Sequence, residues 1–198
     1  MNDGGDSHGH DDSGEHRHEH HGDDGGHGHD HHGNDITELS FAVVTVSSSR
    51  SIDDDPSGDV IESAVENAGH TVAVRELVRD EFDGVQGTVS RLIGRKDVDL
   101  VVTTGGTGVT PDDVTVEAID PLFDKRLPGF GELFRRLSYD DIGSTVVATR
   151  ASAGVSQGCL VFCLPGSRPA VELGMKEIIL PEAPHLVGLA RRDDEDEE

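Results

Sequence analysis

Phe41–Val46 (FAVVTV), Val98–Thr103 (VDLVVT) and Leu160–Leu164 (LVFCL) are short, almost continuous apolar runs, separated by stretches whose apolar residues recur at helical spacing. A strand without polar alternation must be covered on both faces, as parallel strands are in a helix-flanked sheet. Ile61, Ala64, Val65 and Ala68, closed by Gly69, predict a helix, and Val85, Val89, Leu92 and Ile93 predict another. Thr71–Val78 reads as a further strand. Val114–Phe123, Glu132–Leu137 and Ala170–Ile179 read as helices, and Val146–Ala148 as a short strand. Strand alternating with helix implies βαβ units with right-handed crossovers, hence an α/β fold whose mostly parallel central sheet carries helices on both faces.

That pattern starts abruptly at Ile36. Residues 2–35 contain no Val, Ile, Leu, Phe, Tyr, Trp, Cys or Ala, so they have nothing to offset the entropy of ordering and are expected to be a disordered tail. The expected organisation is that tail (1–35), one domain (36–190) and an acidic C-terminal tail (191–198). Ten of the twelve histidines lie in the first tail, among them His16, His18, His20 and His21. Neutral imidazoles beside carboxylates are ligands for Zn or Ni, so the tail reads either as a metal-binding segment or as a solvated low-complexity extension.

The chain carries 40 acids against 16 bases, a net charge of −24. Between residues 36 and 192 there are still 24 acids against 15 bases, and only three of all the bases are lysines. Carboxylates hold hydration, and salt screens their repulsion, so this composition is that expected of a halophile's protein. It also speaks against a nucleic-acid partner, which would need Lys and Arg clusters. No apolar run approaches the roughly 18 residues of a membrane span, and MNDGGDSHGH has no signal-peptide character. A cytoplasmic location is expected.

In parallel α/β sheets ligands bind beyond the carboxyl ends of the strands. The segment best suited to that edge is Val101–Thr115, VVTTGGTGVTPDDVT. Gly105, Gly106 and Gly108 let backbone amides approach an anion closely, and Thr103, Thr104 and Thr107 add hydroxyls. The Walker lysine and the dinucleotide-binding spacing are both absent. Thr110-Pro111-Asp112-Asp113 has the form of a capping box with Pro opening a helix, in which Asp113 would only satisfy backbone donors. The competing reading is a carboxylate that holds Mg²⁺ beside a phosphate cradle. Asp80 carries the same ambiguity, whereas Asp53-Asp54-Asp55 reads by default as a solvated loop. Arg135, Arg136, Arg150 and Arg168 are each an anion clamp or a surface ion-pair partner. Cys159 and Cys163 share one strand face as buried free thiols, and His70 and His185 lack ligand-spaced partners.

TVSSSR (45–50), DPSGD (55–59), TTGGTGVTPDDVT (103–115), PGFGELFRRLSYDDIG (128–143), TRASAGV (149–155) and LPGSRPA (164–170) together resemble one family, the molybdopterin adenylyltransferases of the MogA/MoaB type, and most of all its archaeal MoaB-like branch. The resemblance covers residues 41–187. It implies a three-layer α/β/α sandwich that assembles as a homotrimer or hexamer. It also implies adenylylation of molybdopterin by Mg-ATP with release of pyrophosphate, as a step of molybdenum cofactor biosynthesis. Asp113 and Asp80 correspond to the family's two important carboxylates, with Mg²⁺ bound transiently alongside ATP. Thr104, Gly105, Gly106, Thr107, Gly108, Gly129, Gly131, Glu132, Arg150, Pro165, Gly166 and Ser167 fall in the segments expected to contact substrate and phosphate.

The chain departs from the family pattern at three places. Asp112 stands where many members have Arg, Ser48 where MogA has Asp, and Arg168 where a smaller residue is usual. The DD pair is also similar to the CinA family, which implies nucleotide pyrophosphatase chemistry. A non-catalytic molybdopterin-binding protein is the other alternative.

Overall fold

The computed structural model describes residues 37–191; the four tail histidines, the expected boundary at residue 35 and the acidic C-terminal end lie outside them. Six strands form one sheet in the order β2-β1-β3-β6-β5-β4. They are β1 (Ser40–Val46), β2 (Thr71–Val78), β3 (Leu100–Thr104), β4 (Lys125–Arg126), β5 (Ser152–Ser156) and β6 (Cys159–Leu164). The helices are α1 (Pro56–Asn67), α2 (Phe82–Ile93), α3 (Thr115–Ile119), α4 (Pro128–Ile142), α5 (Arg168–Gly174) and α6 (Leu180–Ala190). β1, β3 and β6 are buried along nearly their whole length, as their apolar runs require.

Alternate residues of these strands feed two cores, one on each sheet face. Phe41, Val43, Leu100, Val102, Leu160 and Phe162 pack with residues of α1, α4, α5 and α6. Ala42, Val44, Val101, Val161, Cys159 and Cys163 pack with residues of α2 and α3. The result is the α/β architecture expected, with helices on both faces of a mostly parallel sheet.

Four features depart from the sequence reading. β5 is antiparallel to β6 and to β4. Its sequence, SAGVS, is too small to read as a strand, yet Gly154 is required: a Cβ there would sit 2.4 Å from the Phe123 ring. The two-residue connection Gln157-Gly158, both with positive φ, is the turn that a tight hairpin demands. Val146–Ala148 is not a strand but part of a 3-10 helix, Gly143–Ala148, with Val147 exposed. The segment lies outside the sheet and pairs with none of its strands. α3 starts only at Thr115, and a 3-10 turn, Asp120–Leu122, follows it. The last predicted helix starts at Arg168 and continues through a π-helical turn, Met175–Ile179, into α6. Among the described residues no helix is long and apolar enough to cross a membrane.

Candidate functional site

β1 pairs with β2 on one side and β3 on the other, so the chain reverses its direction of sheet growth there and leaves a crevice beyond the strand ends. Four loops close over that edge: Ser47–Asp55 after β1, Arg79–Glu81 after β2, Gly105–Val114 after β3, and Pro165–Ser167 after β6. They are tied to one another. Ser47 N donates to Val78 O at 2.8 Å, and Gly105 N donates to Leu164 O at 3.0 Å. Thr104 Oγ1 donates to Pro165 O at 3.0 Å, and Ser57 Oγ to Gly166 O at 2.8 Å.

The glycine-rich loop needs its glycines for space as well as for backbone freedom. Gly105 has φ 102° and Gly106 has φ 65°. A Cβ on Gly105 would lie 2.2 Å from Val46 O, and one on Gly106 2.2 Å from Thr115 Oγ1. Thr115 takes both carbonyls, its Oγ1 donating to Gly105 O at 2.8 Å and its N to Gly106 O at 3.0 Å. In a trans peptide the N–H is anti to the carbonyl, so the N–H groups of Gly106 and Thr107 point away from Thr115. Among the described residues no acceptor takes the N–H of Gly106 or Thr107. Gly166 completes the cradle, since a Cβ there would be 3.2 Å from Gly105 Cα.

A carboxylate stands at each end of this loop. Asp80 Oδ2 accepts from Ser48 N at 2.7 Å, and its Oδ1 lies 3.4 Å from the position a Gly106 Cβ would take. Asp113 Oδ2 accepts from Thr110 N at 2.8 Å and Thr110 Oγ1 at 2.6 Å. It would lie 2.7 Å from a Cβ on Gly108. Burial pushes the Asp113 carboxyl up, but the bonds from Thr110 and Gly108 and the charge of Arg150 outweigh it and hold the group below its ordinary range. The capping-box reading is half right: Asp113 does satisfy Thr110 N–H, but around a turn, because the helix begins two residues later at Thr115. Asp112 is exposed on the same turn. A cavity of about 430 Å³ lies against Asp113, walled by Val109, Pro111, Val114, Glu117 and Arg150. The chemistry of the crevice therefore combines an amide cradle for an anion with hard oxygen donors suited to Mg²⁺.

The arginines divide in function. Arg150 Nε donates to Gly108 O at 2.7 Å, Nη2 to Asp113 O at 3.2 Å, and the same guanidinium pairs with Glu117. Arg168 makes an exposed pair with Glu172 along α5. Arg135 leans against Gly131, within 3.0 Å of where a Cβ would be. Arg50, which sequence reasoning did not single out as a site residue, reaches the cradle instead. Its Nη1 donates to Ser57 Oγ at 3.1 Å and its Nη2 lies 3.5 Å from Gly166 O. The available signal was its place at the end of SSSR, in the loop beyond a parallel strand.

Asp55 corrects the solvated-loop reading of Asp53-Asp54-Asp55, for it is fully covered. It caps α1 through Gly58 N at 3.0 Å, accepts from Thr45 Oγ1 at 2.6 Å and pairs with Arg75 at 3.2 Å. Its role is to fix the loop after β1. Gly129, Gly131 and Glu132 are not brought to the loop cluster by these contacts. Gly131 packs against Ala151 O, Glu132 is exposed on α4, and Gly129 lines an apolar cavity of about 310 Å³ with Phe130, Phe162 and Leu186. A larger apolar groove of about 520 Å³ between α1 and the α5–α6 segment contains none of the candidate residues. The two cysteines are free and buried as expected; burial pushes the thiols of Cys159 to about 12 and Cys163 to about 11, so neither is a thiolate nucleophile.

The profile of a family described as "probable molybdopterin binding domain" matches residues 42–185. Molybdenum cofactor biosynthesis protein B of Bacillus subtilis is 49% identical over 152 residues, spanning 76% of this chain and 89% of that protein. The chain belongs to the MoaB/MogA family of molybdenum cofactor biosynthesis proteins. A crystal structure of a molybdenum cofactor biosynthesis protein B superposes with a TM-score of 0.77 at 42% identity, covering 78% of this chain and 97% of that one. The tungsten cofactor synthesizing protein MoaB from Pyrococcus furiosus superposes with a TM-score of 0.71 at 40% identity, covering 79% and 99%. The matched region of this MoaB/MogA family chain contains all four loops of the crevice.

Proposed function

We propose that the protein is a molybdopterin adenylyltransferase. The observation that carries this reading is the pair Asp80 and Asp113 standing at Gly106 and Gly108, at opposite ends of one amide cradle. A cradle alone suits any phosphate; two carboxylates beside it suit a triphosphate that arrives with its cation. Mg²⁺ bound with ATP would neutralise the phosphates and polarise the α-phosphorus, and Asp80 and Asp113 are the residues that would hold it. The Gly106 and Thr107 amides orient the phosphate chain, and Arg50 adds positive charge at the Gly166 side. A phosphate oxygen of molybdopterin then attacks the α-phosphorus in line, forming one P–O bond as the bond to the β-phosphate breaks and pyrophosphate leaves. The protein contributes alignment and charge shielding, with no covalent intermediate.

As for its kin by sequence resemblance, a homotrimer or hexamer acting in the cytoplasm is part of the proposal. Pyrophosphate release from Mg-ATP, with and without molybdopterin, tests the reaction. Release that requires both substrates is expected. Tight pterin binding without ATP turnover would instead make the chain a carrier, and nucleotide cleavage without pterin would make it a pyrophosphatase of the CinA kind.

A further inference from the structure

We infer that Arg150 is a positioning residue, strapping the neck of the Gly108–Asp113 loop, and does not itself bind the substrate anion; the inference rests on the adenylyl-transfer reading. All three nitrogens of its guanidinium already donate to this chain. Nε takes Gly108 O and Nη2 takes Asp113 O, the two ends of the loop that carries the exposed tip Val109–Asp112. Nη1 and Nη2 also pair with the Glu117 carboxylate on α3. The backbone N–H of Arg150 donates to Thr107 O at 3.3 Å, so the residue is itself anchored to the cradle. A planar fork with fixed donor directions can span two carbonyls and a carboxylate at once, which a lysine ammonium cannot.

The arrangement has a functional consequence. Apart from the Thr110–Asp113 turn, the loop tip has little else to fix it, since Val109, Thr110, Pro111 and Asp112 are all exposed. Holding both Gly108 O and Asp113 O fixes the backbone from which the Asp113 carboxylate projects. Glu117 is held below its ordinary range by its bond from Arg150, so it remains an anion able to orient the guanidinium. Four of the five guanidinium N–H groups are engaged in this way, so a bidentate clamp on a phosphate would require Arg150 to leave Glu117.

Arg150→Gln, Arg150→Lys, Glu117→Gln and the Arg150→Gln/Glu117→Gln pair decide the matter in the full-length protein. Deuterium exchange of the 107–115 amides, read without substrate, is expected to accelerate in all four. In the adenylylation assay kcat should fall about 10- to 100-fold, the scale of a small misplacement of a catalytic group. KM for ATP should stay within about threefold, and the pair should cost little more than Arg150→Gln alone. Lys should not rescue. The inference is overturned if Glu117→Gln lowers the KM for ATP, as freeing a clamp would, or if Arg150→Gln raises that KM strongly while loop exchange is unchanged. Should Arg150→Gln not fold, the exposed Glu117→Gln variant still reads out both the exchange and the KM. Accelerated exchange in a protein that never adenylates would support the strap and count against the reaction, so the two are separable.

Discussion

Ser48 and Asp80 exchange hydrogen bonds across the gap between the loops after β1 and β2. Ser48 N donates to Asp80 Oδ2 at 2.7 Å, and Asp80 N donates to Ser48 Oγ at 3.2 Å. The serine thus fixes both the backbone and one carboxylate oxygen of Asp80, leaving Oδ1 toward Gly106. An aspartate at position 48 would put a like charge there instead.

Asp80→Asn keeps an acceptor for Ser48 N but removes the charge. Its melting temperature should stay close to the parent's, while adenylyl transfer falls about 100-fold or more, the usual scale for losing a preorganised electrostatic group. Ser48→Ala should cost much less, about threefold to tenfold, because the Ser48 N–H remains. Steady-state pyrophosphate release beside thermal unfolding checks both, and an Asp80→Asn protein with near-parental kcat would remove Asp80 from the site.

Asp55 gives the protein an acid-sensitive joint. Burial by itself raises its pKa, but hydrogen bonds from Thr45, Gly58 and Arg75, and the charge of Arg75, outweigh it and bring the folded value below the ordinary one. The unfolded carboxyl titrates at about 3.9. Its stabilisation is therefore complete above about pH 5 and is lost as pH falls through that value toward the lower folded one. Asp55→Asn should cost about 1–3 kcal/mol at neutral pH by weakening the bonds that Thr45, Gly58 and Arg75 give the buried carboxylate, while Arg75 keeps its pairs with Asp59 and Glu62. It should also flatten the dependence of unfolding free energy on pH between about 5 and 3. Denaturant titrations at a series of pH values would show both effects, and an unchanged acid slope would count against them.

Gly106→Ala should disable the cradle without dismantling the sheet. The new methyl would meet Thr115 Oγ1 at 2.2 Å, and φ 65° strains any side chain. A cost of about 1–3 kcal/mol is expected, together with loss of ATP-dependent turnover. Far-ultraviolet circular dichroism and the adenylylation assay would separate folding from function.

Salt should stabilise the chain. With 24 acids against 15 bases between residues 36 and 192, repulsion among carboxylates is relieved as KCl or NaCl rises toward molar levels. Thermal unfolding across the series should show a rising midpoint, and a maximum below about 0.2 M, where screening already reaches about 8 Å, would contradict the halophilic reading.

The legible parts of this protein were those with a local physical signature. FAVVTV and LVFCL announced strands buried on both faces because short, unalternating apolar runs of this kind suit a strand covered on both sides, and GGTG announced a loop because Gly105 has φ 102° with Val46 O 2.2 Å from where a Cβ would be. SAGVS was invisible as a strand, since its case rests on Phe123 lying over Gly154 and on hydrogen bonds to β6, neither of which leaves a trace in five small residues. The stretch ending in Val146–Ala148 misled for the opposite reason. Its side chains favour a strand, but a strand needs a neighbour, and none borders it.

The same division holds for the site. Residue order alone made the loop after β3 a candidate anion cradle and left Asp80 and Asp113 open between backbone capping and Mg²⁺; the family resemblance is what singled them out as its candidate carboxylates. Which arginine faces the cradle, and whether an aspartate in a DDD run is solvated or buried, depended on partners far away in sequence. Arg150 is occupied by Gly108, Asp113 and Glu117, Arg50 meets Gly166, and Asp55 is closed in by Thr45 and Arg75. A charged side chain takes its role from the groups that replace its water, and only the tertiary fold supplies those groups.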